Sequence, residues 1–155
     1  MDITSTEGVI TAPVLALDLG HKRVGVAVTD SLSISITRLA ALPRTNWKQL
    51  LADVANLVQR LDAKTVVIGL PLRLDGSKGD AAAAATTTAA KFARSLNVPV
   101  YMQDERLSSV EAESNLLSQG HKREELSGMV DSEAAAIILN DFLQGDQNRT
   151  LLPKS

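Results

Sequence analysis

The sequence predicts one α/β domain on a mixed five-stranded sheet: an antiparallel β-meander, then strand–helix alternation, with helices on both faces. Three observations predict it. Two apolar runs, Val14 to Leu19 and Val24 to Thr29, are separated only by the polar stretch Gly20-His21-Lys22-Arg23, which is hairpin spacing. From residue 46 onward, segments of helical periodicity alternate with short β-branched runs. A chain of 155 residues, 45% of them hydrophobic, suits a single domain with a real core. The opening hairpin replaces the first crossover of an all-parallel dinucleotide-binding sheet and disfavours that fold.

Residues 1–12 are expected to be a mobile leader, 13–145 the domain and 146–155 a C-terminal tail. Pro13 opens the first strand. The second follows the hairpin, and a third is expected over Ile34–Leu39 or shortly after, with Pro43 closing the region. Trp47, Leu50, Leu51, Val54, Leu57, Val58 and Leu61 recur at helical spacing between Asn46 and Leu61. Asn46 with Gln49 forms a capping-box pattern at its start. Thr65–Leu70 is a buried strand expected to stop at Pro71. After a polar loop, Ala81–Leu96 reads as a helix whose alanines permit close contact with the sheet. Val98–Met102 is the fifth strand. Ser108 with Glu111 starts a helix to about Gln119, stopped by Gly120. A last helix is expected from near Asp131 to Gly145, with Ala134, Ala135, Ile137, Ile138 and Phe142 toward the core.

Composition excludes several functions. There is no cysteine, hence no disulfide, thiol nucleophile or zinc–thiolate site. With only His21 and His121, a histidine-rich metal centre is disfavoured, so a metal would need oxygen ligands, which favours Mg2+ or Mn2+. No segment is long and apolar enough to span a membrane, and the acidic N-terminus is no signal peptide; the expected location is cytoplasmic. A net charge of −2 argues against a broad basic surface but allows a local basic groove.

Asp18 interrupts a strand expected to be buried on both faces, where an ionised carboxylate is costly unless a metal, a cation or several donors hold it. Two further acidic places follow: Asp104-Glu105-Arg106 after the fifth strand, where sites in such sheets are commonly built, and Asp131 at the last helix. Carboxylates gathered from separate elements repel one another. Two divalent cations about 4 Å apart turn that repulsion into a site that can activate water against a phosphodiester. Taken singly, Asp18 favours function over a structural ion pair. Asp104-Glu105-Arg106 is evenly balanced against a surface turn, and Asp131 reads first as an N-cap. Basic residues sit in loops: Lys22, Arg23, Arg73, Lys78, Arg106, Lys122 and Arg123. Each alone is an ordinary surface charge, but together they can form a phosphate-contacting rim.

Four blocks then carry a resemblance: Leu17-Asp18-Leu19-Gly20-His21-Lys22-Arg23-Val24-Gly25-Val26, Val67-Ile68-Gly69-Leu70-Pro71 with Asp75-Gly76-Ser77, Asp104-Glu105-Arg106-Leu107-Ser108, and Val130-Asp131-Ser132-Glu133-Ala134. In this order they resemble the YqgF/RuvX family of bacterial proteins, described as Holliday junction resolvases and as nucleases maturing the 5′ end of pre-16S ribosomal RNA. The resemblance implies a ribonuclease H-like fold and a phosphodiesterase dependent on Mg2+ or Mn2+. It implies catalytic, metal-holding acids at Asp18, Glu105 and Asp131. His21 stands where the family more often has threonine, Glu133 adds an acid, and Gly69-Leu70-Pro71 replaces an acid that many nucleases of this fold carry. Glu133 and Asp104 are supplementary candidates for the metal.

The expected function is metal-dependent hydrolysis of structured RNA in pre-16S rRNA maturation, by a monomer or weak homodimer. The alternative is a dimeric resolvase acting on branched DNA. A third reading is a weakly catalytic or non-catalytic module binding nucleic acid in ribosome assembly. An ATP-binding module of the actin and sugar-kinase type is disfavoured, because no second Asp-x-Gly block is present to enclose the nucleotide.

Overall fold

The computed structural model describes residues 9–106, 126–145 and 148–155. In chain order the elements are β1 (Val14–Leu19), β2 (Arg23–Thr29), β3 (Ile36–Pro43), α1 (Trp47–Arg60), β4 (Thr65–Leu72), α2 (Asp80–Ser95), β5 (Val100–Arg106), α3 (Leu126–Gln144) and β6 (Arg149–Leu151). The expected helix from Ser108 to Gln119, and its stop at Gly120, lie outside the described residues.

The sheet runs β3-β2-β1-β4-β5-β6. The first three strands form the expected antiparallel meander, and β1, β4 and β5 are mutually parallel. Alternation along the strands splits the core in two. Leu15, Leu17, Val66 and Ile68 face α1 and α2, where Leu50, Val54 and Phe92 complete one layer. Val14, Ala16, Val67 and Tyr101 face α3, where Ala135, Ile138 and Phe142 complete the other. In α2 the buried residues are Ala82, Ala85, Ala89 and Ala93 with Phe92, so small side chains do bring this helix close to the sheet. The threonine run does not break it: Thr86 and Thr87 hydroxyls donate to the carbonyls of Ala82 and Ala83 one turn back.

Several boundaries differ from the sequence expectation. The sheet has six strands, because Arg149–Leu151, within the expected tail, pairs with β5. Three residues carry no pattern of their own. The Arg149 guanidinium fixes them by lying 5.1 Å from the Phe142 ring centre, and the Lys154 ammonium donates to the carbonyls of Leu96 and Val98. Strand β4 continues through Pro71. Its pairing with β1 ends at Leu17–Ile68, so by residue 71 no neighbour on that side needs an amide donor. Strand β3 lies two residues further on than its expected start and runs to Pro43, with a bulge where Ala40 and Ala41 face Gly25. Helix α3 begins at Leu126, so Asp131 lies inside it and is not its N-cap. At α1 the expected cap is present: the Asn46 side chain accepts from the Gln49 amide at 2.8 Å. Gln49 itself turns to Asp53 and leaves the box half made.

Candidate active site

Asp18 is placed by β1 on the face that carries Val14 and Ala16, the α3 side of the sheet. Its antiparallel partner is Gly25. On the parallel side the register brings Gly69 next to it, one residue beyond the Leu17–Ile68 pair. Glycine on both flanks leaves the carboxylate room, and Asp18 is half-buried. Gly69 is needed for a second reason. A Cβ there would lie 2.6 Å from Cδ1 of Ile138, so its bare backbone is what lets α3 seat on the sheet.

Glu105 reaches the same face from β5, two positions beyond Gln103 and four beyond Tyr101, and is 7% exposed. It lies within the strand, which extends to Arg106 and not to Met102 as the sequence suggested. Asp104 alternates to the opposite face and is separated from the other two acids. A cleft of about 300 Å³ opens over this part of the sheet. Asp18 and Glu105 line it, Gly69 and Ile138 contribute to its inner side, and Ala81, Ala84 and Ala85 of α2 form a wall.

The third expected acid, Asp131, lies in the second turn of α3, and its side chain is outside the described residues. Among the described residues no three acidic or histidine side chains gather closely enough to hold a metal ion. The two carboxylates that do share the cleft are hard oxygen donors, the kind suited to Mg2+ or Mn2+. Glu133 is not one of them. It is buried against β3, where its carboxylate receives two hydrogen bonds from Arg38. A separate opening of about 360 Å³ lies there, between β3 and α3. Ser132 beside it donates to the Leu39 carbonyl at 2.6 Å.

Of the expected basic rim, Lys22 lies in the β1–β2 turn and Arg23 begins β2; Arg73 and Lys78 lie in the β4–α2 connection. Arg106 ends β5, with its side chain outside the described residues, as are Lys122 and Arg123 entirely. All four described side chains belong to the end of the sheet where β1 and β4 finish, yet none lines the cleft. Among the described residues, the basic ones that do line it are His21 and Arg44. Arg44 escaped the sequence reading, although a signal was there: an antiparallel meander returns the end of β3 to the β1–β2 turn, beside Asp18.

Comparison with known proteins gives a consistent pattern. The family model described as "RuvX: Holliday junction resolvase" matches residues 12–145. A protein of Anaeromyxobacter sp. (strain Fw109-5) named "Putative pre-16S rRNA nuclease" is 43% identical over 131 residues, 84% of this chain and 96% of that protein. One of the same name from Picosynechococcus sp. (strain ATCC 27264 / PCC 7002 / PR-6) is 38% identical over 86% of this chain and 92% of its own length. Among solved structures, T. thermophilus RuvC in complex with Holliday junction substrate superposes with a TM-score of 0.50 at 16% identity. It covers 90% of this chain and 98% of that one. That likeness establishes the fold, a ribonuclease H-like mixed sheet.

Proposed function

The chain belongs to the RuvX family, and from that premise we propose that it is a divalent-metal-dependent nuclease hydrolysing phosphodiester bonds in the 5′-end maturation of pre-16S rRNA. One observation carries the reading: Asp18 and Glu105, from strands that are not neighbours in the sheet, come to one face and one cleft. Asp131 is the third member of the set. The family resemblance implies it, since Val130-Asp131-Ser132-Glu133-Ala134 is one of the four blocks that carry that resemblance.

In this reading Asp18, Glu105 and Asp131 hold Mg2+ or Mn2+ through carboxylate oxygens. When bound, such a cation polarises the scissile phosphate and lowers the pKa of the attacking water. The chain supplies the rest. The sheet fixes the spacing of Asp18 and Glu105, Gly25 and Gly69 keep side chains away from Asp18, and the alanine wall of α2 admits the polymer. Lys22, Arg23, Arg73, Lys78, Arg106, Lys122 and Arg123 contact phosphates flanking the cleavage point. No helix among the described residues is long and apolar enough to cross a membrane.

A family description as a Holliday junction resolvase favours a second substrate, four-way DNA. Symmetric cutting of two strands requires a stable dimer. We favour RNA and a monomer or weak homodimer. The test is cleavage of a pre-16S rRNA fragment and a four-way DNA junction side by side, with Mg2+, Mn2+ or EDTA, alongside sedimentation at micromolar concentration. Expected are trimming of the RNA with either metal, none with EDTA, and loss of activity in Asp18→Asn and Glu105→Gln. Paired nicks in the junction by a tight dimer, with the RNA left intact, would reverse the choice of substrate.

A further inference from the structure

The lining of the cleft sets an arginine beside two acids. Two carboxylates line it, while Lys22, Arg23, Arg73 and Lys78 stand outside its lining. A polyanion entering beside two acids needs positive charge at the same depth. Among the described residues, Arg44 is the guanidinium that lines the cleft.

Its position follows from the meander. Strand β3 runs antiparallel to β2, so its end at Pro43 pairs with Arg23 and the next residue abuts the β1–β2 turn. The Arg44 amide donates to the Lys22 carbonyl at 3.0 Å, and its Nη1 donates to the Gly20 carbonyl at 2.8 Å. Two anchors therefore fix both the backbone and one corner of the side chain. A guanidinium presents five N–H donors in a rigid fork, and the Gly20 carbonyl occupies only one of its nitrogens. The half-buried group is held against the wall of a cleft that already contains Asp18 and Glu105. An arginine oriented in this way loses little rotamer freedom on binding, and its planar fork matches the oxygens of a phosphodiester.

We infer that Arg44 binds a backbone phosphate of the nucleic acid inside the cleft, next to the acids, with the Gly20 carbonyl holding its guanidinium in place. The polymer's identity rests on the nuclease reading. The phosphate contact does not depend on metal or on cleavage, and the test is arranged accordingly.

Binding of a fluorescent single-stranded RNA of fixed length is measured by anisotropy in EDTA across a series of salt concentrations. The chains compared are wild type, Arg44→Gln, Arg44→Lys and Arg94→Ala, the last replacing an exposed arginine in the final turn of α2. Glutamine keeps a donor for the Gly20 carbonyl but removes the charge. Expected is a slope of log K against log salt that is shallower by about 0.7 in Arg44→Gln, the change for one phosphate that the protein no longer neutralises. Arg44→Lys should keep the wild-type slope with weaker binding, and Arg94→Ala should match wild type. A four-way DNA junction in place of the RNA should show the same weakening, because the guanidinium binds phosphate. An unchanged slope in Arg44→Gln, with or without a lower melting temperature, overturns the assignment and leaves Arg44 a tether for the turn. A wild-type chain that binds neither probe overturns the nucleic-acid reading along with it.

Discussion

Arg38 and Glu133, 95 residues apart in sequence, meet in a two-point ion pair, with Nε to Oε2 at 2.5 Å and Nη2 to Oε1 at 2.9 Å. The pair ties α3 to the edge strand β3, and Ser132 adds a bond to the Leu39 carbonyl beside it. The bond that Arg38 donates to Glu133 raises the Arg38 pKa above its ordinary value, against the smaller opposing effect of burial. The Glu133 side chain is 8% exposed and that of Arg38 51%, so removing the arginine strands a buried carboxylate. Arg38→Ala should cost about 1.5–3 kcal/mol in urea unfolding, the range for a hydrogen bond to a charged group. Arg38→Ala with Glu133→Ala should cost less than the two single changes added together, since the double variant buries no lone charge. Strict additivity would mean that the pair is not coupled.

Gly69 should tolerate no side chain. In Gly69→Ala the new Cβ would meet Cδ1 of Ile138 at 2.6 Å and Cγ1 at 3.1 Å, so the fully buried Ile138 side chain must shift to make room. Overpacking of this kind costs about 1–3 kcal/mol. Adding Ile138→Val, which removes the clashing methyl, should recover part of the loss in thermal unfolding. No recovery would place the strain elsewhere.

The β2–β3 turn gives a pH-dependent signal. The Asp30 carboxylate accepts the Ile34 amide at 2.8 Å, and that bond, with weaker help from Ser35, lowers its pKa below the ordinary aspartate value. Desolvation opposes it and is second in weight to the Ile34 bond. A carboxylate depressed in the folded state stabilises the turn fully above the unfolded pKa of about 3.9 and loses that contribution as pH falls through the lower folded value. The Ile34 amide resonance should therefore titrate with a midpoint under about 3.9, and the transition should vanish in Asp30→Asn. A midpoint at or above the unfolded value would contradict the hydrogen bond.

What could be read ahead of the structure follows from what is local. The hairpin, the amphipathic α1 with its Asn46 cap and the alanine face of α2 rest on short-range pattern, and each forms as expected. Asp18 was visible because an acid in an apolar run is an anomaly at any reading distance. Long-range register was not visible. Whether Glu105 or Asp104 shares the face of Asp18 depends on strand alternation through to Arg106, and whether Pro71 ends β4 depends on where β1 parts from it. The pairing of Glu133 with Arg38 was not visible either, because the arginine lies on a distant strand. Arg44 went unnoticed because a loop arginine gains meaning only from the turn it folds against.

The nuclease reading stands on Asp18 and Glu105 jointly holding a divalent cation while Asp104, on the other face of β5, does not. Isothermal titration of Mn2+ into the wild type, Asp18→Asn, Glu105→Gln and Asp104→Asn decides this. Affinity should fall by about tenfold or more, 1.4 kcal/mol, in each of the first two variants and stay unchanged in the third. Wild-type affinity in both Asp18→Asn and Glu105→Gln, or a loss confined to Asp104→Asn, would refute the assignment.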